Sequence, residues 1–220
     1  MASAGAGHGE GIDERPRPGD DVTGPAAGPG SQARPGRVLT VCTGNICRSP
    51  LLERVLQRHL DESWGPGAYV VASAGTHGLV GHPMDERSAQ VLRSFGGSPD
   101  GFVARRLTPG LVAEADLVLT ATADHRSLVL RQYPRALRHT FTFREFAVLA
   151  DVVAQDPLVA RDLPPRERLQ ALAATLIGRR GPGVVVEPDI VDPFRRDDAV
   201  YREMQEQIEQ ALPSVLRTLG

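Results

Sequence analysis

Residues 37–60 read RVLTVCTGNICRSPLLERVLQRHL, and this stretch decides how the chain folds. Its first five residues are rich in apolar and β-branched types and predict a buried strand, while the residues from Pro50 onwards have the apolar spacing of an amphipathic helix. A short turn, which we call the 42–48 loop, joins the two. Strand, loop and helix in this order place the amino end of a helix at the loop, an arrangement suited to binding an anion.

The residue types predict the shape of this loop. Gly44 and Asn45 both tolerate positive φ, Ser49 is predicted to cap the helix, and Pro50 suits its first position. The backbone N–H groups of the loop can then point inward, with the helix dipole behind them. We therefore expect a concave site for a dianion.

Cys42 opens the loop and Arg48 closes it. Electropositive surroundings favour a thiolate over a thiol, and a guanidinium offers paired donors that match two phosphoryl oxygens. A Cys with an Arg six residues later is a weak signal by itself, and most free Cys residues are small buried hydrophobic groups. Here the pair comes with glycine, asparagine, serine and proline between a strand and a helix, so we predict a nucleophile and a phosphoryl clamp.

Composition limits the remaining possibilities. The chain has 220 residues and a formal net charge of −2, which indicates neither nucleic acid nor an anionic membrane as a partner. Two Cys residues are too few for a disulfide framework, and no apolar run approaches the ~20 residues of a membrane span. No signal-peptide pattern opens the sequence. We expect a cytoplasmic location.

The pattern along the chain predicts one α/β domain after a tail. Residues 1–36 are dense in Gly, Ala and Pro and are predicted to be disordered, whereas 37–220 form the domain. A turn is expected at 61–67. Strands alternating with helices argue for a parallel sheet covered on both faces, with ligands beyond the carboxyl ends of its strands. The later strands are predicted at 69–73, 116–121 and 139–143, and helices at 85–95, 124–132, 144–154, 164–177 and 197–219.

Residues 41–50, VCTGNICRSP, resemble the phosphate-binding loop of the low-molecular-weight protein tyrosine phosphatase family, bacterial type, whose pattern is a Cys, five residues, then Arg-Ser. The segments SAGT at 73–76, ADLVLT at 115–120 and DPF at 192–194 also resemble that family, in its order. The resemblance implies a doubly wound, four-stranded parallel sheet with helices on both faces, of the phosphotyrosine phosphatase I-like kind. Compared with compact members, residues at about 144–185 look like a helical insertion, either surface decoration or a lid.

The resemblance also implies the chemistry. Asp192, on a loop stiffened by Pro193, matches the general acid that protonates the leaving oxygen, although Asp189 is a competitor. Cys42 would form a phosphocysteine that water then hydrolyses with Asp192 as base. No metal and no cofactor is expected, because the six His residues show no ligand spacing and His77 and His82 lie in a Gly-rich loop.

Several further residues take roles by similarity. Ser49 would donate to the thiolate, while Asn45 and Ser73 hold the loop open. Phe102 stands where many relatives carry a His that braces the loop Asn. Cys47 either traps an oxidised nucleophile as a disulfide or simply packs the loop. The expected substrate-binding residues are Thr43, Gly44, Asn45, Ile46, Cys47, Ser49, Leu79 and Phe194.

Three functions remain open at this stage. The first is hydrolysis of phosphotyrosine in proteins, with a bacterial tyrosine kinase or a polysaccharide-assembly protein as the expected substrate. The second is arsenate reduction with an external small thiol, since both cysteines lie inside the loop. The third is a non-catalytic phosphoprotein-binding module, which would need neither nucleophile nor acid.

Overall fold

The computed structural model describes residues 34–153, 162–181 and 187–220. Its centre is a parallel sheet of four strands in the order β2-β1-β3-β4. Because the strand order reverses at β1, a crevice opens at the carboxyl end of that strand, where α/β sheets bind ligands. The predicted fold class is confirmed. The strands are β1 (Gly36–Cys42), β2 (Tyr69–Gly75), β3 (Leu117–Thr120) and β4 (Thr140–Thr142).

Helices cover both faces of this sheet. Successive side chains of a strand point to opposite faces, and Leu117 and Leu119 belong to one hydrophobic cluster while Val118 belongs to another. The first cluster includes side chains of α1, α2, α5, α6 and α7, and the second those of α3 and α4. The helices are α1 (Arg48–Trp64), α2 (Glu86–Ser94), α3 (Pro109–Glu114), α4 (Ala123–Gln132), α5 (Phe143–Val153), α6 (Pro165–Ile177) and α7 (Asp198–Leu219).

The turn predicted at 61–67 begins too early, because α1 continues to Trp64. The Trp64 ring meets Tyr69 edge-on with 5.8 Å between ring centroids, and its Nε1 donates to the carbonyl of Leu219 at 3.1 Å. These tertiary contacts favour one more helical turn, which Gly65 then ends with φ of 85°.

The described part of the stretch at 144–185 belongs to the core. Arg168 of α6 is 4% exposed, and its guanidinium donates to the carbonyls of Leu219 and Thr218 at 2.7 and 2.9 Å. Arg166, two residues earlier, contacts Asp116 directly before β3. The amino end of α6 therefore lies where the parallel strands begin, which we call the amino edge of the sheet. The 42–48 loop lies where the strands end, which we call the carboxyl edge. That the stretch is an insertion stays a prediction.

The tail predicted at 1–36 lies outside the described residues except for its last three, of which Gly36 already belongs to β1. No helix in the described ranges is long and apolar enough to cross a membrane.

Candidate active site

The 42–48 loop leaves the carboxyl end of β1 and enters α1 at Arg48. Asn45 makes the turn in the left-handed region with φ of 57°, whereas Gly44 does not adopt positive φ, so that expectation holds only for Asn45. A second loop covers the first: the backbone N–H groups of Thr76 and His77 each donate at 2.9 Å, to the carbonyls of Cys42 and Thr43. The backbone of the loop is thus fixed before any ligand binds.

Behind the loop, hydrogen bonds run to the Cys42 thiol. The amide nitrogen of Asn45 donates to the hydroxyls of Ser49 and Ser73 at 3.0 and 2.7 Å, and its amide oxygen accepts from the backbone N–H of Arg105 at 2.8 Å. The Arg105 contact fixes which end of the Asn45 amide donates. Both serine oxygens therefore act as acceptors toward Asn45 and keep their own hydrogens for other partners.

The hydroxyl hydrogens of Ser73 and Ser49 each have an identifiable acceptor. Ser73 donates to the carboxylate of Glu53, which accepts only. The Ser49 hydroxyl lies 3.0 Å from the Cys42 sulfur and 3.5 Å from the carbonyl of Ala74, so its better acceptor is the sulfur. The Ser49 hydroxyl therefore directs a hydrogen-bond donor at the Cys42 sulfur. Ser49 does not cap α1, contrary to the prediction, because its hydroxyl is used here.

Glu53 is a residue that sequence reasoning missed. It lies four residues after Ser49 on α1, and that spacing places both on one helix face. Phe102, which stands where many relatives carry a His, is buried and packs beside Arg54, with 5.9 Å between the Arg54 guanidinium carbon and the ring centroid. In place of such a His, the Arg105 backbone N–H holds the Asn45 amide, and the Glu53 carboxylate holds the Ser73 hydroxyl that Asn45 contacts.

Arg48 is 3% exposed and faces the predicted acid. Its Nη2 lies 2.9 Å from Oδ2 of Asp192, and its Nη1 donates to the carbonyl of Ile190 at 3.1 Å. Within the described ranges, its buried Nε has no hydrogen-bond partner. Asp192 is about half exposed, so its carboxylate can meet both Arg48 and an incoming ligand.

The loop that carries Asp192 is attached to the sheet. The N–H of Ile190 donates to the carbonyl of Ala121 at 2.9 Å, directly after β3. Asp189, the competing acid, accepts from the backbone N–H of Ala123 at 2.8 Å. Its carboxylate is thus held at the amino end of α4, whereas Asp192 lines the pocket.

The pocket above the loop has an electropositive floor and apolar walls. Leu79 and Phe194 stand at its rim, and the Arg195 guanidinium stacks on the Phe194 ring at 5.0 Å. Asn45, Ser49 and Ser73 lie behind the loop as its supports. His77, which the sequence places in a Gly-rich loop as a solvated or rim residue and not a ligand, also lines the pocket. The lining residues are Cys42, Thr43, Gly44, Ile46, Cys47, Arg48, His77, Leu79, Asp192 and Phe194.

Cys47 is a free, buried thiol at the start of α1. Burial raises its pKa to about 12, the neighbouring Ser88 hydroxyl offsets this in part, and the negative charge of Asp85 adds to the rise. At neutral pH Cys47 is therefore protonated. Whether it pairs with an oxidised Cys42 stays a prediction.

His125 is the second residue that the sequence did not reveal. It lies in α4 and is 6% exposed, with its Nε2 at 2.9 Å from the Thr43 hydroxyl and its Nδ1 at 2.6 Å from the Thr122 hydroxyl. Burial, with a contribution from Arg48, lowers its pKa to about 4. The ring is neutral at physiological pH. No cluster of three or more His, Cys, Asp or Glu suited to a metal ion occurs within the described ranges.

Comparisons with known proteins identify the family of this chain. The family model for low molecular weight phosphotyrosine protein phosphatase matches residues 37–162. Low molecular weight protein-tyrosine phosphatase A of Mycobacterium tuberculosis is 32% identical over 182 residues, which is 82% of this chain and 90% of the relative. The chain therefore belongs to the low-molecular-weight protein tyrosine phosphatase family, and it is a tyrosine phosphatase.

Two solved structures share the fold. The tyrosine phosphatase Wzb from Escherichia coli K30 in complex with sulphate has a TM-score of 0.58 and 27% identity, covering 84% of this chain and 98% of Wzb. The YwlE arginine phosphatase from Geobacillus stearothermophilus has a TM-score of 0.59 and 25% identity, covering 84% and 93%. These likenesses do not favour the arsenate reductase or the non-catalytic module.

Proposed function

We propose that this phosphatase hydrolyses phosphotyrosine through a phosphocysteine at Cys42, with Arg48 as the phosphoryl clamp and Asp192 as general acid and base. The observation that carries the proposal is the convergence of these three side chains on one pocket, with the Cys42 sulfur 3.0 Å from the Ser49 hydroxyl and Arg48 2.9 Å from Asp192. The nucleophile and the cation come from β1 and α1, and the acid from a loop far along the chain.

The ion pair between Arg48 and Asp192 suggests how substrate binding prepares the acid. A phosphoryl dianion above the 42–48 loop takes the Arg48 donors, including the unpartnered Nε, and replaces the Asp192 carboxylate there. Asp192 then faces the leaving oxygen instead of Arg48. Asp192 is then placed to give a proton to that oxygen, as a general acid must.

The two chemical steps follow from this placement. The Cys42 thiolate attacks phosphorus and the P–O bond to tyrosine breaks, with the Asp192 proton passing to the phenolic oxygen. Asp192, now a carboxylate, takes a proton from water as that water attacks the phosphocysteine and releases phosphate. Arg48 and the loop N–H groups stabilise the equatorial oxygens in both steps. Neither step requires a metal ion.

The pocket walls support an aryl ester as substrate. Ile46 at the base and Leu79 and Phe194 at the rim are apolar and would pack against a flat ring. YwlE is an arginine phosphatase, and a phosphorylated guanidinium is more polar than a phenyl ring and gains less from apolar walls. We therefore favour phosphotyrosine over phosphoarginine as the substrate.

Finer features of the function are part of the same proposal. A bacterial tyrosine kinase or a polysaccharide-assembly protein would supply the phosphotyrosine, and the reaction would take place in the cytoplasm. The relatives named AmsI of Erwinia amylovora and EpsP of Ralstonia nicotianae are bacterial proteins of this family, which is in line with a bacterial source for this chain.

Steady-state hydrolysis with a chelator present tests the proposal. A phosphotyrosine peptide and a phosphoarginine peptide of the same sequence are compared on wild type, Cys42→Ser, Asp192→Ala and Asp189→Ala. We expect turnover of the phosphotyrosine peptide to vanish with Cys42→Ser and to fall ~10²–10⁴-fold with Asp192→Ala. Asp189→Ala is the matched control and should retain far more activity.

Three results would overturn the proposal. Loss of turnover on chelation would contradict the metal-independent mechanism. A larger loss for Asp189→Ala than for Asp192→Ala would reassign the acid. Preference for the phosphoarginine peptide would change the substrate class while leaving Cys42 as nucleophile.

A further inference from the structure

We propose that His125 is a positioning residue that holds the Thr43 hydroxyl with its hydrogen directed into the pocket, as a donor to a phosphoryl oxygen of the substrate. The inference rests on the proposed function, because it assigns a hydrogen-bond donor within that same site. It concerns two residues 82 positions apart in the sequence that only the fold brings together.

The argument begins at Thr122, the N-cap of α4. Its hydroxyl oxygen accepts from the backbone N–H of His125 at 3.2 Å, as an N-cap should. The same oxygen lies 2.6 Å from Nδ1 of the His125 ring. A hydroxyl has one hydrogen to give, and within the described ranges Nδ1 is the partner in position to receive it. Thr122 therefore donates to Nδ1, so Nδ1 is unprotonated.

The tautomer of the ring then follows. A neutral imidazole carries its hydrogen on one nitrogen, so an unprotonated Nδ1 places it on Nε2. Nε2 lies 2.9 Å from the Thr43 hydroxyl oxygen, a normal N–H···O distance. His125 thus donates to Thr43, and the Thr43 oxygen is the acceptor.

This tautomer determines where the Thr43 hydroxyl hydrogen points in the pocket. The Thr43 oxygen accepts from His125, so its own hydrogen points elsewhere, and within residues 34–153, 162–181 and 187–220 no protein acceptor is in place for it. Thr43 follows the nucleophile directly and lines the pocket. Its hydrogen is free for an acceptor-rich ligand, and a phosphoryl group is one.

The alternative tautomer gives the opposite result. With the hydrogen on Nδ1, Nε2 would accept from Thr43 and the hydroxyl hydrogen would be lost to the substrate. The Thr122 hydrogen would also have no acceptor among the residues that the structure describes. In the Nε2–H form both ring nitrogens and the Thr122 hydroxyl are paired through the observed contacts, and the Thr43 hydroxyl keeps its hydrogen for the pocket.

The first test is ¹⁵N NMR of wild-type protein at neutral pH. We expect the His125 ring nitrogens to report Nε2 protonated and Nδ1 unprotonated. The reverse pattern would overturn the inference. This measurement does not depend on catalysis, so it stands even if the proposed reaction were wrong.

The second test is calorimetric titration with inorganic phosphate, compared with hydrolysis of the phosphotyrosine peptide. Thr43→Val removes the donor and should raise the phosphate Kd about 10-fold, since a hydrogen bond to a charged acceptor contributes about that much. Thr43→Ser should bind nearly as wild type. His125→Leu should weaken binding less, by about 3-fold, because the Thr43 hydroxyl remains but is no longer oriented. His125→Gln, which keeps a side-chain N–H donor, should recover most of that loss.

The double variant Thr43→Val/His125→Leu separates positioning from general structural damage. If His125 acts through Thr43, the double variant should bind phosphate no worse than Thr43→Val alone. Additive losses would overturn the inference. His139→Leu removes a half-buried ring near the opposite edge of the sheet and should leave phosphate binding unchanged. An active wild type with unchanged phosphate affinity in Thr43→Val rejects this inference alone, whereas an inactive wild type that binds phosphate through Thr43 rejects only the proposed reaction.

Discussion

Both the amino edge and the carboxyl edge of the sheet bury a charged side chain, but the two side chains differ in how completely they are hydrogen-bonded. At the amino edge, the Asp116 carboxylate is 5% exposed and accepts from the Arg37 backbone N–H, Arg166 and Gln170, each at 3.0 Å. At the carboxyl edge, Arg48 is similarly buried but keeps an unpartnered Nε within the described ranges, and its ion pair is with a half-exposed carboxylate. A closed network at one edge holds the fold, and an open one at the other is ready for a ligand.

The contrast teaches how to recognise a site in this fold. Burial alone does not distinguish the edges, since charged groups at both are removed from water at considerable free-energy cost. Unfilled hydrogen-bonding capacity does distinguish them. Changes at the carboxyl edge should therefore reduce activity more than stability, and changes at the amino edge the reverse.

The largest effect should come from Arg48→Lys. Lysine keeps the charge but loses the planar fork that serves Ile190, Asp192 and a phosphoryl group together. We expect kcat/KM for a phosphotyrosine peptide to fall ~10³-fold, while the urea midpoint changes little. Asp116→Asn is the matched change at the amino edge and should lower the unfolding free energy with kcat/KM nearly constant. Equal losses of activity in both variants would break the comparison.

Substituting one glycine at each edge by alanine should produce the next largest changes in activity and stability. An added Cβ at Gly75 would lie 2.5 Å from the carbonyl oxygen of Thr43, and one at Gly36 would lie 2.6 Å from the Tyr69 ring. Gly75→Ala should displace the 42–48 loop and lower kcat/KM ~10²-fold, because small misplacements of reacting groups are costly.

Gly36→Ala, the partner variant, overpacks the core instead. It should lower the unfolding free energy by about 1–3 kcal/mol, measured by urea denaturation, with kcat/KM retained in the folded protein. If Gly36→Ala proved the less active of the two, the division between the edges would be wrong.

The smallest effect is a pH dependence of stability. His125 has a folded pKa of about 4 and an unfolded pKa near ~6.5, so the unfolded chain binds more protons between these values. Its contribution to stability is therefore complete above about pH 6.5 and declines as the pH falls, by about 2 kcal/mol down to pH 5. Burial is the main cause; Arg48 adds to it, and Asp192, Asp189 and Asp124 oppose it.

Urea denaturation at pH 7, 6 and 5 measures this contribution. His125→Gln should flatten the pH dependence relative to wild type. His139, near the amino edge, also has a pKa lowered by burial and opposed by Asp116, and its Gln variant should flatten the curve less. An unchanged slope in His125→Gln would show that this ring is solvated or paired in a way that the contacts do not indicate.

The 42–48 loop was predictable because its chemistry is local. Cys42, Asn45 and Arg48 lie close together in the sequence, and strand, turn and helix preferences all point to the same shape. The parallel sheet followed from the alternation of strands and helices. The capping role of Ser49 was wrong because a tertiary partner, the Cys42 sulfur, takes the hydroxyl.

Other parts of the site depend on contacts that no local pattern reveals. His125 meets Thr43 across 82 residues, and Glu53 meets Ser73 across 20. An isolated His on a helix is an ordinary residue until the topology places it against the loop. The division of labour between Asp189 and Asp192 likewise became visible only from what each carboxylate contacts.

The attachment of the acid loop has a consequence for how such a protein can change over time. Ile190 is bonded to Ala121, Asp189 to Ala123, and the Val191 N–H to Gln207 of α7, so three contacts within three consecutive residues fix the position of Asp192. The position of the acid is thus set by these contacts and not by the length of the chain that precedes Asp189. A change of chain length before Asp189 that keeps α6 in the core therefore leaves the acid where it is.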